Sequence, residues 1–267
     1  MIPVITGDRY DSPQGIKSCL REYLMLKSRW SPYSKFIQII FKYRPLAVRG
    51  EYTDEIWAQS SLEVMEKLET CGARFHISGL DQVRALDGPC VFVSNHMSTL
   101  ETLLLPGLIV PIQPCTFVVK DSLLNGKVWG PVMRSRNPIA VGRKDPRKDL
   151  ETVITEGTRI LGEGRSIIIF PQSTRAAKFS RKQFNSLGAK LAARTGVNLM
   201  PVAIKTDYWS NGKFIRLFGP VHRERAIHVE FGPAMKVEGR GKAEHEACVK
   251  FIEDRLTSWG GEIDSES

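Results

Sequence analysis

From Thr53 onward the chain alternates between two hydrophobic patterns. Short continuous runs of β-branched and aromatic residues occupy positions 75–77, 90–93, 115–119, 138–141, 166–170, 199–205, 214–218 and 227–231. Runs of that length and composition predict buried strands. Between them, apolar residues recur every three or four positions. Residues 54–70, with Ile56, Leu62, Val64, Met65 and Leu68, predict a helix, as do 100–109, 147–161, 181–194 and 244–259. Strands separated by helices predict an α/β fold, a largely parallel sheet flanked by helices. In such folds sites gather at the carboxyl ends of the strands. No internal repeat and no low-complexity segment interrupts the pattern.

Residues 1–50 follow a different pattern. Residues 23–30 and 36–44 mix large aliphatic and aromatic side chains with Lys and Arg. That mixture fits a helix lying among lipid headgroups, and it fits equally a helical hairpin packed on the main domain. The two readings are compatible if they apply to different faces. The expected organisation is an N-terminal helical membrane-association segment, 1–50, followed by an α/β domain, 51–267. Arg21, Lys27, Arg29, Lys35, Lys42, Arg44 and Arg49 would favour an anionic membrane surface.

Charge supports that expectation. A formal net charge of +9 and a pI near 9.4 point to an anionic partner, whether nucleic acid, membrane or phosphorylated substrate. The basic residues are dispersed and form no recognised nucleic-acid motif, so no nucleic-acid partner is expected. Five scattered cysteines without a CxxC pair argue against a disulfide framework or a zinc site and suit a reducing compartment. No metal is expected. No apolar run reaches the roughly 18 residues needed to span a bilayer, and the first 15 residues lack the apolar core of a signal peptide. The expected location is cytoplasmic, peripheral on the cytoplasmic face of a membrane.

Candidate chemistry begins where the run 90–93 ends. There Asn95-His96 is followed, five positions after the histidine, by Glu101. A carboxylate beside an imidazole can hold its tautomer and stabilise the imidazolium, as a general base requires. Positions five apart do not stack on a helix, so the pair forms only if His96 precedes the helix and Glu101 reaches back from its first turn. Ser98-Thr99-Leu100-Glu101 also fits a capping box, with Ser98 as N-cap and Glu101 accepting from its amide. A second turn follows the run 166–170 and presents Gln172, Ser173, Thr174 and Arg175. Its guanidinium suits phosphate or carboxylate, while the hydroxyls suit a turn cap. Arg143 follows the run 138–141, and Lys120 follows 115–119; either could reach the same sheet edge or lie in solvent.

Order and spacing together resemble the glycerolipid acyltransferase superfamily, whose best-known members are 1-acylglycerol-3-phosphate acyltransferases. Asn95-His96 with Glu101 resembles the family's NH-x4-D motif, and Arg143 after Ile139-Ala140-Val141 resembles its second motif. Residues 170–175 resemble its FPEGTR motif, and Met200-Pro201-Val202-Ala203-Ile204 its fourth block. The resemblance covers roughly residues 75–260. It implies an O-acyltransferase that moves a fatty acyl group from acyl-CoA or acyl-carrier protein, as co-substrate, to the free hydroxyl of lysophosphatidic acid in phospholipid synthesis. No cofactor is implied. His96 and Glu101 would be catalytic; Asn95, Lys120, Arg143, Gln172, Ser173, Thr174 and Arg175 would bind substrate. Glu101 stands for the family's Asp, one methylene longer. Gln172 and Ser173 stand for Glu-Gly in the motif associated with the acceptor. Another lysolipid or a non-phosphorylated amphiphile is the alternative acceptor, and a catalytically silent membrane-binding module the alternative class.

Overall fold

The computed structural model describes residues 4–16, 28–172, 174–213 and 217–264. In chain order the elements are β1 (Tyr10–Asp11), α1 (Trp30–Val48), α2 (Asp54–Glu69), β2 (Phe75–Ser78) and α3 (Leu80–Arg84). β3 (Cys90–Ser94), α4 (Leu100–Ile109), β4 (Cys115–Lys120), α5 (Gly130–Arg134), β5 (Ile139–Val141), α6 (Pro146–Gly162) and β6 (Ser166–Ile169) follow. The chain continues through β7 (Lys178–Phe179), α7 (Leu187–Thr195), β8 (Asn198–Lys205), β9 (Ile227–Phe231), α8 (Lys242–Ser258) and β10 (Glu262–Ile263).

An eight-stranded sheet runs in the order β1-β2-β9-β8-β3-β6-β4-β5. From β8 to β5 every neighbouring pair is parallel. β9 turns against β8, β2 runs parallel to β9, and β1 closes the edge antiparallel to β2. The central strands β3 and β6 are buried at every residue. Both of their faces are covered by helices, which is why their sequences are apolar except for the terminal Ser94 and Ser166. Successive side chains point to opposite faces. Phe92, Ile168 and Met200 enter the core beneath α1, α2 and α4, while Val91, Val93, Ile167 and Ile169 enter the core beneath α6, α7 and α8. The fold is the largely parallel α/β sheet that the hydrophobic pattern predicts.

Caps place the helices at the sheet edge. Thr53 accepts from the Ile56 amide at the start of α2, and Asp145 accepts from the Arg147 and Lys148 amides ahead of α6. α4 crosses α2 so closely that a Cβ on Gly107 would lie 3.0 Å from Ser61 Cβ.

α1 buries Tyr33, Phe36, Ile40, Tyr43 and Ala47, spaced three or four apart, in the same core as the sheet. The Tyr33 hydroxyl donates to Gly219 O at 2.6 Å, and its ring meets Trp209 edge-on. The helix therefore packs on the main domain along one face. Residues 17–27, which include Arg21 and Lys27 of the expected interfacial segment, lie outside the described residues.

Two expected elements differ. The helix predicted over 181–194 is a 3₁₀ turn at Arg181–Gln183, a break at Phe184, and α7 only from Leu187. Asn185 accepts from the Leu187 amide and donates to Pro171 O, so its side chain competes with helical bonding. The strand predicted over 214–218 falls partly on 214–216, outside the described residues; Leu217 and Phe218 form a turn, with Leu217 O accepting from Trp209 Nε1 at 2.8 Å. No helix among the described residues is long and apolar enough to cross a membrane.

Candidate active site

β3 delivers its carboxyl end to a crossing of three segments. Asn95, 1% exposed, donates from Nδ2 to Ile204 O at 2.7 Å and accepts from Ile204 N at 2.9 Å. Its amide therefore clamps the strand end to β8. On the other side the His96 amide donates to Gln172 Oε1 at 2.7 Å, and His96 O accepts from Ala176 N at 2.9 Å. The imidazole stacks on Phe170 with centroids 4.3 Å apart. Backbone and ring are thus held from both flanks before any substrate contact is made.

Glu101 is fully buried. Its Oε1 accepts from the Met97 and Ser98 amides and from the Thr206 hydroxyl, each at 2.7 Å. Oε2 lies 3.8 Å from His96 Nδ1 and 3.2 Å from Ser98 Oγ. α4 begins at Leu100, with Thr99 rather than Ser98 at its N-cap, and Ser98 Oγ accepts from the Leu100 amide at 3.0 Å. One carboxylate thus serves both readings: Oε1 caps the turn and Oε2 faces the imidazole. Burial pushes the Glu101 carboxyl above its usual range, and the hydroxyl and amide donors pull the other way.

His96 Nδ1 is buried without a hydrogen-bond partner, and the ring's remaining exposure belongs to its other atoms. Desolvation, then the positive charges of Arg175 and Arg143, push its pKa down to about 3. The imidazole is therefore neutral, with a lone pair able to accept a proton.

His96 opens onto a cavity of about 570 Å³. The deep part is apolar: Phe36, Ile39 and Ile40 from α1, Trp57 and Val64 from α2, Phe117 from β4, and Val132 and Met133 from α5. The mouth is polar and basic, with Lys120, Arg143, Thr174 and Arg175 around His96. Arg175 donates to Thr99 Oγ1. Arg143 sits at φ 57° in a turn whose amides, Gly142 N and Arg143 N, donate to Asp149 at 3.0 and 2.9 Å.

The structure thus brings His96, Glu101, Lys120, Arg143, Thr174 and Arg175 to one place. Asn95 and Gln172, expected to bind substrate, do not line the cavity; they hold the strand end and the His96 amide. A backbone amide needs only an oxygen acceptor, and the Gln172 carbonyl supplies one. Ser173 lies outside the described residues. Among the described residues no cluster of His, Cys, Asp or Glu is arranged to hold a metal. Sequence reasoning missed Thr206 and Phe170 as parts of the site. Thr206 directly follows the run 199–205, so the strand-end rule that singled out His96 applies to it too.

The comparisons give the arrangement its relatives. The family model for Acyltransferase matches residues 74–205, from β2 through β8, a range that includes His96 and Glu101. Residues 74–205 form an acyltransferase domain. This acyltransferase is 28% identical over 248 residues to a 1-acyl-sn-glycerol-3-phosphate acyltransferase of Pseudomonas aeruginosa, covering 91% of this chain and 89% of that one. It is 29% identical over 152 residues to the chloroplastic 1-acyl-sn-glycerol-3-phosphate acyltransferase BAT2 of Brassica napus, spanning 56% of this chain and 40% of the plant protein. Its fold matches the crystal structure of the 1-acyl-sn-glycerophosphate (LPA) acyltransferase PlsC of Thermotoga maritima. The TM-score is 0.64 at 18% identity, covering 90% of this chain and 95% of that one.

Proposed function

We propose that this acyltransferase esterifies the free hydroxyl of lysophosphatidic acid with a fatty acyl group taken from acyl-CoA or acyl-carrier protein. The observation that carries the proposal is a single cavity with an apolar interior and a mouth that groups a neutral imidazole with Lys120, Arg143 and Arg175. An acyl chain matches the interior, and a phosphomonoester matches the guanidinium forks at the mouth. The named activity of the relatives supports the same acceptor.

In this mechanism His96 removes the proton from the acceptor hydroxyl as the oxygen attacks the thioester carbonyl. Glu101, 3.8 Å from Nδ1, orients the ring and stabilises the imidazolium. The tetrahedral intermediate then expels the thiolate, which takes the proton from His96. No covalent acyl-enzyme is needed, because the acceptor is itself the nucleophile. The protein works at the cytoplasmic face of a membrane as a peripheral enzyme, with the N-terminal segment, including α1, meeting the lipid.

The test supplies the purified full chain with acyl-CoA or acyl-carrier-protein donors and a mixture of lysolipids, and identifies the products by mass. Phosphatidic acid is the expected product, formed by wild type and lost in His96→Ala. Acylation confined to acceptors without a phosphomonoester would overturn the assignment of Arg143 and Arg175.

A further inference from the structure

The cavity mouth adjoins a surface that the catalytic assignment does not explain. Phe41, Val48, Leu123 and Val128 are 67%, 58%, 50% and 44% exposed. Phe41, Arg44 and Val48 are spaced three and four apart, so they form one outward stripe on α1. Arg44 donates from Nε and Nη2 to Lys127 O at 3.3 and 3.1 Å, which sets Val128 beside that stripe. Phe36, from the buried face of α1, stacks on Trp129 with centroids 5.3 Å apart. Helix and loop are therefore fastened at two points and present one edge. Leu123 belongs to both places: it lines the cavity and is half exposed.

Contiguous apolar side chains at the rim of a lipid-sized cavity are costly in water and mark a surface meant for contact. The charges around them identify the contact. Lys120 and Lys127 are exposed on the same loop with Asp121 between them, and Lys42 and Arg49, paired with Glu63 and Glu51, flank the helix stripe. Basic residues beside apolar ones suit the headgroup boundary of an anionic bilayer, where the apolar groups enter the acyl region and the cations stay with phosphates.

We propose that the loop 120–128 is a second lipid-contacting edge, which docks with the outward stripe of α1 so that the cavity mouth at Leu123 opens at the level of the lipid. This rests on the reading of the cavity as an acyl-chain site. It places an amphiphilic acceptor within reach of His96 without full transfer through water. The loop lies outside the first 50 residues and carries its own anchor.

The experiment uses the full chain and vesicles of phosphatidylcholine with and without phosphatidylglycerol. Val128→Glu removes an apolar contact and adds a repelled charge at a position that lines neither cavity nor catalytic pair. Its partition to anionic vesicles should fall by roughly tenfold or more, while turnover of a short-chain, monomerically dispersed donor and acceptor stays at the wild-type level. Val128→Trp should bind more tightly, because aromatic rings favour the interface, and it keeps the test decisive if the Glu variant does not fold. Vesicle binding unchanged in both variants would overturn the proposal. Unchanged vesicle binding with a raised KM for acyl-carrier protein would also overturn it and make the edge a protein dock. Failure to acylate lysophosphatidic acid, with the vesicle effect intact, would sink the acceptor assignment and leave the lipid edge standing.

Discussion

At the scale of single residues, the site depends on which atom of Glu101 does what. Three donors converge on Oε1, which leaves Oε2 to face His96 Nδ1. Glu101→Gln separates the two roles. The donors keep the amide oxygen at the Oε1 position, so the amide nitrogen faces Nδ1 and donates to it. The ring proton then moves to Nε2, the atom that must accept from the acceptor hydroxyl. We expect turnover to fall by on the order of 100-fold or more, with only a small change in the unfolding midpoint because the cap survives. Retained turnover in a folded Glu101→Gln enzyme would contradict the pair.

His96 yields a prediction in pH. Its folded pKa, about 3, lies below the ordinary value of 6.5. The unfolded chain therefore binds a proton that the folded chain refuses. The stability that this neutral ring maintains is fully present above pH 6.5 and is lost as pH falls towards 3. His96→Phe should flatten this decline, which is measured by unfolding midpoints across the acid range. Under the proposed mechanism, a phosphate seated on Arg175 and Arg143 would cancel the positive charges that add to desolvation in depressing the ring. The acid limb of kcat, which reports the bound enzyme, should then lie at higher pH than the acid limb of kcat/KM, which reports the free enzyme. Arg175→Gln should raise the kcat/KM limb towards that of kcat. Coincident limbs in wild type would show that phosphate does not neutralise these guanidiniums.

At the scale of elements, the central strands β3 and β6 were legible because burial on both faces leaves only a terminal serine, Ser94 or Ser166, among their apolar residues. His96 and Glu101 were legible because only four residues separate them on one strand-to-helix turn. Thr206 was harder, since it meets Glu101 across a sequence separation of 105 residues. The cavity was not legible at all: α1, α2, β4 and α5 each contribute an apolar patch that reads as ordinary core until the four are assembled. The break at Asn185 was hidden by a helical pattern that its side chain overrides.

α1 is both a wall of the cavity and a part of the core. Deleting residues 1–50 therefore strips Tyr33, Phe36 and Tyr43 from the main core and removes Ile39 and Ile40 from the cavity. Substitutions on its outer face test membrane contact without that damage. Inside the cavity, Ile39→Trp adds bulk and should shift products towards shorter acyl chains, read by mass spectrometry. The α2–α4 crossing is tested by Gly107→Ala, whose new Cβ would meet Ser61 Cβ at 3.0 Å and Leu62 N at 3.2 Å. Overpacking of that kind costs about 1–3 kcal/mol, seen as a lowered denaturation midpoint with His96 and Glu101 unchanged.

At the scale of the whole molecule, the proposed membrane contact would combine a net charge of +9 with the exposed apolar residues beside the cavity mouth. The two contributions respond differently to salt. Each basic residue held near an anionic surface contributes roughly 1 kcal/mol, and that attraction is screened as the Debye length shrinks from about 8 Å at physiological ionic strength to about 3 Å at 1 M. The proposed burial of Phe41, Val48 and Val128 in the acyl boundary would not be weakened by simple salt. Wild-type protein should therefore prefer anionic over neutral vesicles at low salt, lose much of that preference as salt rises, and keep a salt-resistant remainder. Lys42 and Arg49 pair with Glu63 and Glu51, at 2.6 and 2.9 Å, so part of their charge is already answered within the protein. Lys127→Glu should therefore lower the preference for anionic vesicles more than Arg49→Glu does, and Phe41→Glu should remove most of the salt-resistant remainder. Sedimentation with vesicles at low and high salt measures both quantities. Equal binding to neutral and anionic vesicles at low salt would remove the electrostatic part, and complete release at high salt would remove the apolar one.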